Sequence, residues 1–229
     1  MRALRKLISL EIRKHKLAGM LKGALITNLG ILAFMILVVF IDRSELETYS
    51  DVFEALYLFI RAAFIIFASV LLSKLIIDEY KNNTITLLFT YPISRMKLMY
   101  AKLIIVLLFT FLNIIVSNIT LGAIIVGINS FANAIPGEIT ADLLISELIK
   151  TGASAVYAAG IGLIPLYVGM RKKSVPATIV SGVLIVALIS SGFGEFRLGE
   201  LAFVSVSLGL LGMAIAFQSI RRVERDDIA

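Results

Sequence analysis

Few side chains in this 229-residue sequence could carry out chemistry. Cysteine is absent, which rules out a thiolate ligand set, and the single histidine, His15, lies in the basic N-terminal segment, so neither a multi-His metal site nor His-dependent catalysis inside the membrane is supported. The neighbouring acids Asp78-Glu79 and Asp226-Asp227 adjoin in sequence instead of facing each other across a site. No stretch reads GxxxxGKS or GxxxxGKT, the backbone cradle for nucleotide phosphates. Neither a catalytic residue nor a metal ligand is expected, and no cofactor is expected on this chain. The remaining polar chemistry is hydrogen bonding. Thr110, Asn113, Ser117 and Thr120 recur at i, i+3, i+7 and i+10, which puts them on one face of a helix. Such a stripe bonds neighbouring helices or lines a pathway.

A second pattern points to recognition. Residues 78–103, DEYKNNTITLLFTYPISRMKLMYAKL, lie between two long apolar runs and mix charge, turn residues and apolar side chains. Asn82-Asn83 is a turn pair, Thr84 can cap a helix, and Ile85, Leu88 and Phe89 share one face of a short helix over 84–91. Pro92 ends that helix, and Ser94 can cap the next one, which continues through Arg95, Lys97 and Lys102. An apolar face rimmed by charge suits the groove of a partner, or it rests on lipid headgroups.

The elements that must position these residues are set by lipid. With 59% hydrophobic residues, 17% charged residues and a mean hydropathy of +0.96, the chain has more apolar surface than a soluble core of this length can hide. A net charge of +6 would point to nucleic acid in a soluble protein, but here the basic residues flank apolar runs, as they do beside anionic headgroups. A spanning helix needs roughly 20 apolar residues, because all backbone polar groups must pair internally across the hydrocarbon. Six segments qualify: Leu21–Ile41, Tyr57–Ile77, Leu103–Ile128, Leu148–Val168, Ala177–Phe193 and Leu201–Phe217. The last two are short and Gly-rich, and could be thin spans or re-entrant helices; two spans fit the charge bias.

Of the 22 Lys and Arg residues, only Arg43, Arg61, Lys150 and Arg197 fall on one side of this arrangement. The other side is therefore cytoplasmic, with both termini and the 78–102 loop. Residues 1–20 read as an interfacial amphipathic helix with Leu4, Leu7, Ile8 and Ile12 as its apolar stripe; a solvated basic tail would leave that stripe without a role. The first apolar run is too long for a cleaved signal and reads as a retained span. Residues 21–217 form the membrane domain and 218–229 a cytoplasmic tail. Arg61, Lys74 and Lys150 lie near predicted span ends, where Arg61 can reach Glu54 or outer headgroups, Lys74 can meet Asp78, and Lys150 can meet Glu147. No acid is expected near a midplane, which counts against an ion-coupled carrier. Pro165 should kink the fourth span. Small-residue stripes (Gly152, Ala155, Ala159 and Gly162; Ser205, Gly209, Gly212 and Ala216) mark close helix packing, within the chain or across a dimer. Residues 129–150 hold either a separate outer helix after Pro136 or the wet beginning of the fourth span.

Glu79, Thr84, Leu87, Leu88, Pro92, Ile93, Ser94, Arg95 and Lys102, set in this loop between the second and third of six spans, resemble the type-2 ABC exporter permease family. Within it, the chain is most similar to small permeases of bacitracin or lantibiotic self-protection. The resemblance implies an all-α polytopic fold of six transmembrane helices with an N-terminal interfacial helix and a short coupling helix at 84–91. It also implies a plasma-membrane half-transporter, with ATP and Mg on a separate ATP-binding subunit and a second permease, identical or related, completing the pathway. Glu79, Thr84, Ile85, Leu87, Leu88, Phe89, Pro92 and Arg95 would then couple to the ATPase. Many relatives have Gly-Thr where this chain has Asn83-Thr84, and asparagine also tolerates the left-handed turn. A membrane anchor or sensor that recruits a cytosolic partner through the same loop is the competing reading.

Overall fold

The computed structural model describes residues 7–12, 17–41, 48–81, 95–132, 135–137, 139–193, 196–197 and 202–225, and these are almost entirely helical. After a helical stretch at 7–12, the elements are α1 (Leu17–Ile41), α2 (Tyr49–Leu72), a π turn (Ser73–Ile77), α3 (Asp78–Lys81), α4 (Arg95–Ala132), α5 (Ala141–Ile161), α6 (Pro165–Lys172), α7 (Val175–Ser190) and α8 (Ala202–Arg225). Between α7 and α8, strands β1 (Gly192–Phe193) and β2 (Phe196–Arg197) pair antiparallel, Gly192 opposite Arg197.

Among the described residues, four helical runs are long and apolar enough to cross a bilayer: Gly19–Val39, Tyr49–Lys81, Met96–Ala132 and Ala141–Lys172. Two shorter apolar helices follow, Val175–Ser190 and Phe203–Ser219. The second run has 33 residues, about 50 Å at 1.5 Å per residue against roughly 30 Å of hydrocarbon. The run is thus longer than the hydrocarbon needs, and the 21 residues expected from hydropathy, Tyr57–Ile77, are the inner part of it.

The ends and breaks of these helices have local causes. Thr48 and Asp51 form a reciprocal cap at the start of α2: the Thr48 amide and hydroxyl donate to Asp51 Oδ2 at 2.9 and 2.7 Å, and the Asp51 amide donates to Thr48 Oγ1 at 3.3 Å. Residues 141–150 belong to α5, so the segment after Pro136 is the beginning of the fourth span and not a separate helix. Pro165 breaks that span as expected. Lacking an amide hydrogen, it sits at the first turn of α6, and the chain before it tightens: the Leu163 and Ile164 amides donate three residues back, to Gly160 and Ile161, at 3.0 Å each. α6 ends at Lys173, which is left-handed (φ 47°), and the Ser174 hydroxyl caps α7 by accepting from the Ala177 amide.

The described residues pack as two compact units, each with its own core. One comprises 18–64 and 112–155. There Phe34 meets Phe59 edge-on at 5.0 Å, and Gly122 admits the Phe53 ring. Its polar fastening is Asn129, which donates to Tyr49 Oη at 2.6 Å and to the Ile135 carbonyl at 3.0 Å while accepting from the Ile135 amide at 2.9 Å. Arg61 is buried in this unit, donating to Tyr57 Oη at 3.4 Å with its guanidinium over that ring. It is engaged within the bundle and does not reach for outer headgroups. Lys150 does pair with Glu147, at 2.7 Å.

The other unit comprises 1–17, 65–111 and 156–229. Its tightest contact is between α5 and α8, where a Cβ added to Gly212 would overlap the Gly160 carbonyl and one added to Gly209 would lie 3.0 Å from Tyr157. Gly209 and Gly212 of the expected α8 stripe thus meet α5 inside one chain, but at Tyr157 and at Gly160, which lie outside the expected α5 stripe; of that stripe, Gly152 has open space beside it and Gly162 packs on Ala68. On α7, Gly182 lets the helix close on Ser69; on α6, Gly169 packs on Thr178 and Ile77. α6 and α7 pack against the π turn, whose Ser73, Leu75, Ile76 and Ile77 are buried.

Candidate functional site

Near the end of the second membrane rod, which runs to Lys81, the helix changes register over residues 73–77. The Asp78 amide donates to the Ser73 carbonyl, five residues back, so residues 73–77 form a π turn. A π turn withdraws a carbonyl from the regular i to i+4 ladder, and a buried carbonyl needs a donor. Lys102, on the first turns of α4, supplies one: its Nζ donates to the Leu75 carbonyl at 2.7 Å. The same ammonium forms a charged hydrogen bond with Glu79 Oε2, one turn along. Glu11 Oε2, from the helical stretch at 7–12, lies 3.9 Å from it.

All three charged residues are buried, with Glu11 5%, Glu79 8% and Lys102 3% exposed. Removing ionised groups from water is expensive, and only good mutual geometry offsets it. The arrangement has that geometry for Lys102 and Glu79. It joins the last residues before the 82–94 segment to the first turns after it, two points 23 residues apart in sequence. Chemically this cluster is a clamp. Among the described residues no group of His, Cys, Asp or Glu is placed to hold a metal ion.

Of the residues expected to couple to a partner, Glu79 is in this clamp and Arg95 opens α4. Thr84, Ile85, Leu87, Leu88, Phe89 and Pro92 lie outside the described residues. The polar stripe of the third span does not share one environment. Thr110 is buried and returns its hydroxyl to the Val106 carbonyl at 2.9 Å, and Ser117 is buried, whereas Asn113 is half-buried and Thr120 is exposed, bonding Val116. The stripe winds from the buried face of α4 to its edge.

Sequence reasoning passed over Glu11 and the π turn as parts of the site, and placed Lys102 in the loop without seeing its partners. One signal for Glu11 was available: it is the single acid in MRALRKLISLEIRKHK and lies one turn from Leu7, which is buried on the same side. Ile12 and Leu10 are instead exposed, so the protein-facing side of this helix is Leu7 and Glu11 while part of the apolar stripe is left for lipid.

Comparison with known proteins agrees with a transport assembly. Residues 7–190 match the family model described as ABC-2 family transporter protein. The chain is 40% identical over 225 residues to the uncharacterized protein YcbO of Bacillus subtilis (strain 168), covering 96% of this chain and 99% of that protein. No solved structure matches it. With its family match spanning both the clamp and the membrane rods, the chain belongs to the ABC-2 family of transporter proteins, as an integral, multi-pass membrane permease component.

Proposed function

We propose that this permease contributes six spans, α7 and α8 supplying the last two, and forms one half of the pathway of an ATP-driven exporter. The observation that carries this reading is the buried Lys102–Glu79 pair, which ties the two roots of the 82–94 segment together. A loop meant to pass force between a partner and two membrane helices needs such roots, since a push on a loosely hinged loop is lost in local bending. The apolar ridge of Ile85, Leu88 and Phe89 then docks in the groove of a separate ATP-binding subunit, with Thr84, Leu87, Pro92 and Arg95 shaping the contact. ATP and Mg belong to that subunit, and a second permease chain completes the pathway. The charge bias places both termini and the loop in the cytosol.

A pathway with few polar groups suits a peptide antibiotic, a small drug or a lipid as cargo; of the stripe on the third span, Asn113 and Thr120 are the members that are not buried. The test is the double substitution Leu88→Asp and Phe89→Asp in the complex purified with its ATP-binding subunit. Membrane insertion should persist while substrate-stimulated ATP hydrolysis is lost. Unchanged stimulation would overturn the docking role. ATP-dependent uptake into inverted vesicles separates an exporter from an anchor that merely recruits a cytosolic partner.

A further inference from the structure

The Lys102–Glu79 pair joins the two roots of one loop, but Glu11 comes from a different part of the chain. An amphipathic helix that only had to lie on the membrane would be expected to present an apolar residue where Glu11 is buried, as it does with Leu7 one turn earlier. A carboxylate is tolerated at 5% exposure only when a cation or donors hold it. Here the Lys102 ammonium faces it at 3.9 Å. That ammonium has three N–H donors; the Leu75 carbonyl and Glu79 each accept one, and Glu11 lies beside it from the N-terminal side.

We propose that Glu11 is a positioning residue for the cytoplasmic loop: by orienting Lys102 it makes a seated N-terminal helix part of what fixes the spacing of the loop's two roots. This rests on reading 82–94 as the coupling segment. The consequence is regulatory. The N-terminal helix exposes Leu10 and Ile12 and is flanked in sequence by Arg5, Lys6, Arg13 and Lys14, so anionic headgroups favour its seating. Losing that surface unseats Glu11 and frees the roots to move.

The absence of cysteine makes the measurement direct, since engineered cysteines are unique labelling sites. Lys81 and Lys97 are exposed at the end of α3 and the start of α4, so spin labels on Lys81→Cys and Lys97→Cys report the root-to-root distance. Labels on Glu54→Cys and Ser130→Cys, both exposed in the unit of 18–64 and 112–155, report whether that unit is intact. The full chain is reconstituted in nanodiscs containing phosphatidylglycerol, without any ATPase. Glu11→Gln keeps the side-chain shape and removes the charge. Loss of the single narrow root-to-root population, with the 54–130 distance unchanged, is the expected result. Replacing phosphatidylglycerol by phosphatidylcholine should produce the same loss in the unsubstituted background. A root distance indifferent to Glu11→Gln overturns the proposal, and so does a change in both distances, which would make Glu11 a general packing residue. Because no partner is present, this outcome is independent of whether the loop docks an ATPase.

Discussion

Removing Glu79 should cost the fold far more while Lys102 is present than in a Lys102→Met background, where its partner is already gone. Glu79→Leu leaves the Lys102 ammonium, 3% exposed, with the Leu75 carbonyl at 2.7 Å and Glu11 at 3.9 Å. Breaking a buried pair by deleting one partner typically costs about 3 to 5 kcal/mol. At 3.9 Å the gross attraction to Glu11 is roughly 4 kcal/mol for an effective dielectric of 20, so Lys102 keeps a partner and the loss sits near the low end, about 3 kcal/mol. Lys102→Met is worse, about 4 to 5 kcal/mol, because it removes the ammonium that both the buried Glu11 and Glu79 carboxylates face. In Glu79→Leu with Lys102→Met the pair becomes apolar. Only Glu11 then remains to be accommodated, and the double variant should fall short of the summed single losses by about 2 to 3 kcal/mol. Equilibrium unfolding in mixed detergent micelles, followed by helical circular dichroism, measures all three. Losses that add to within about 0.5 kcal/mol would show that the two side chains act separately and that the clamp is a coincidence of packing.

The α5–α8 contact gives a sharper contrast. Gly212→Ala forces a methyl into the Gly160 carbonyl and should destabilise by about 2 kcal/mol or more, whereas Gly152→Ala meets no atom within 4 Å and should be neutral or stabilise by up to about 1 kcal/mol. Thermal unfolding of the two single variants checks this pair. Asn129→Leu strips the Ile135 amide and carbonyl and the Tyr49 hydroxyl of a shared partner, and a loss of about 2 to 3 kcal/mol is expected in the same micelle unfolding assay. Thr48→Ala removes one side of the α2 cap and should cost about 1 kcal/mol, seen as faster hydrogen exchange confined to the first turn after Tyr49.

The legible part of the site was its position along the chain. Polar and turn residues between two apolar runs mark the 78–102 loop, and Glu79 stood out there as the last acid before the turn. Less was legible in the stripe of the third span, because equal helical spacing says that Thr110 and Thr120 are near one face but not that one is covered by a neighbour and the other is not. Arg61 is instructive in the same way. Its place in the sequence near a predicted span end invites a route to water, yet Tyr57 receives it inside the bundle.

What can be known from the linear chain follows from interactions that act along it. Partition between water and hydrocarbon sums over a window of neighbours, the charge bias sums over short loops, and a single histidine, no cysteine and no phosphate-cradle motif narrow the chemistries to consider. Those readings needed no partner residue. The clamp, the π turn and the α5–α8 contact needed folding, because each depends on which distant side chain arrives. A helical period shows that Glu11 shares a face with Leu7, but only packing brings that face against Lys102. A run such as SKLII carries no mark of a π turn, and only folding brings the Lys102 ammonium to the Leu75 carbonyl within it.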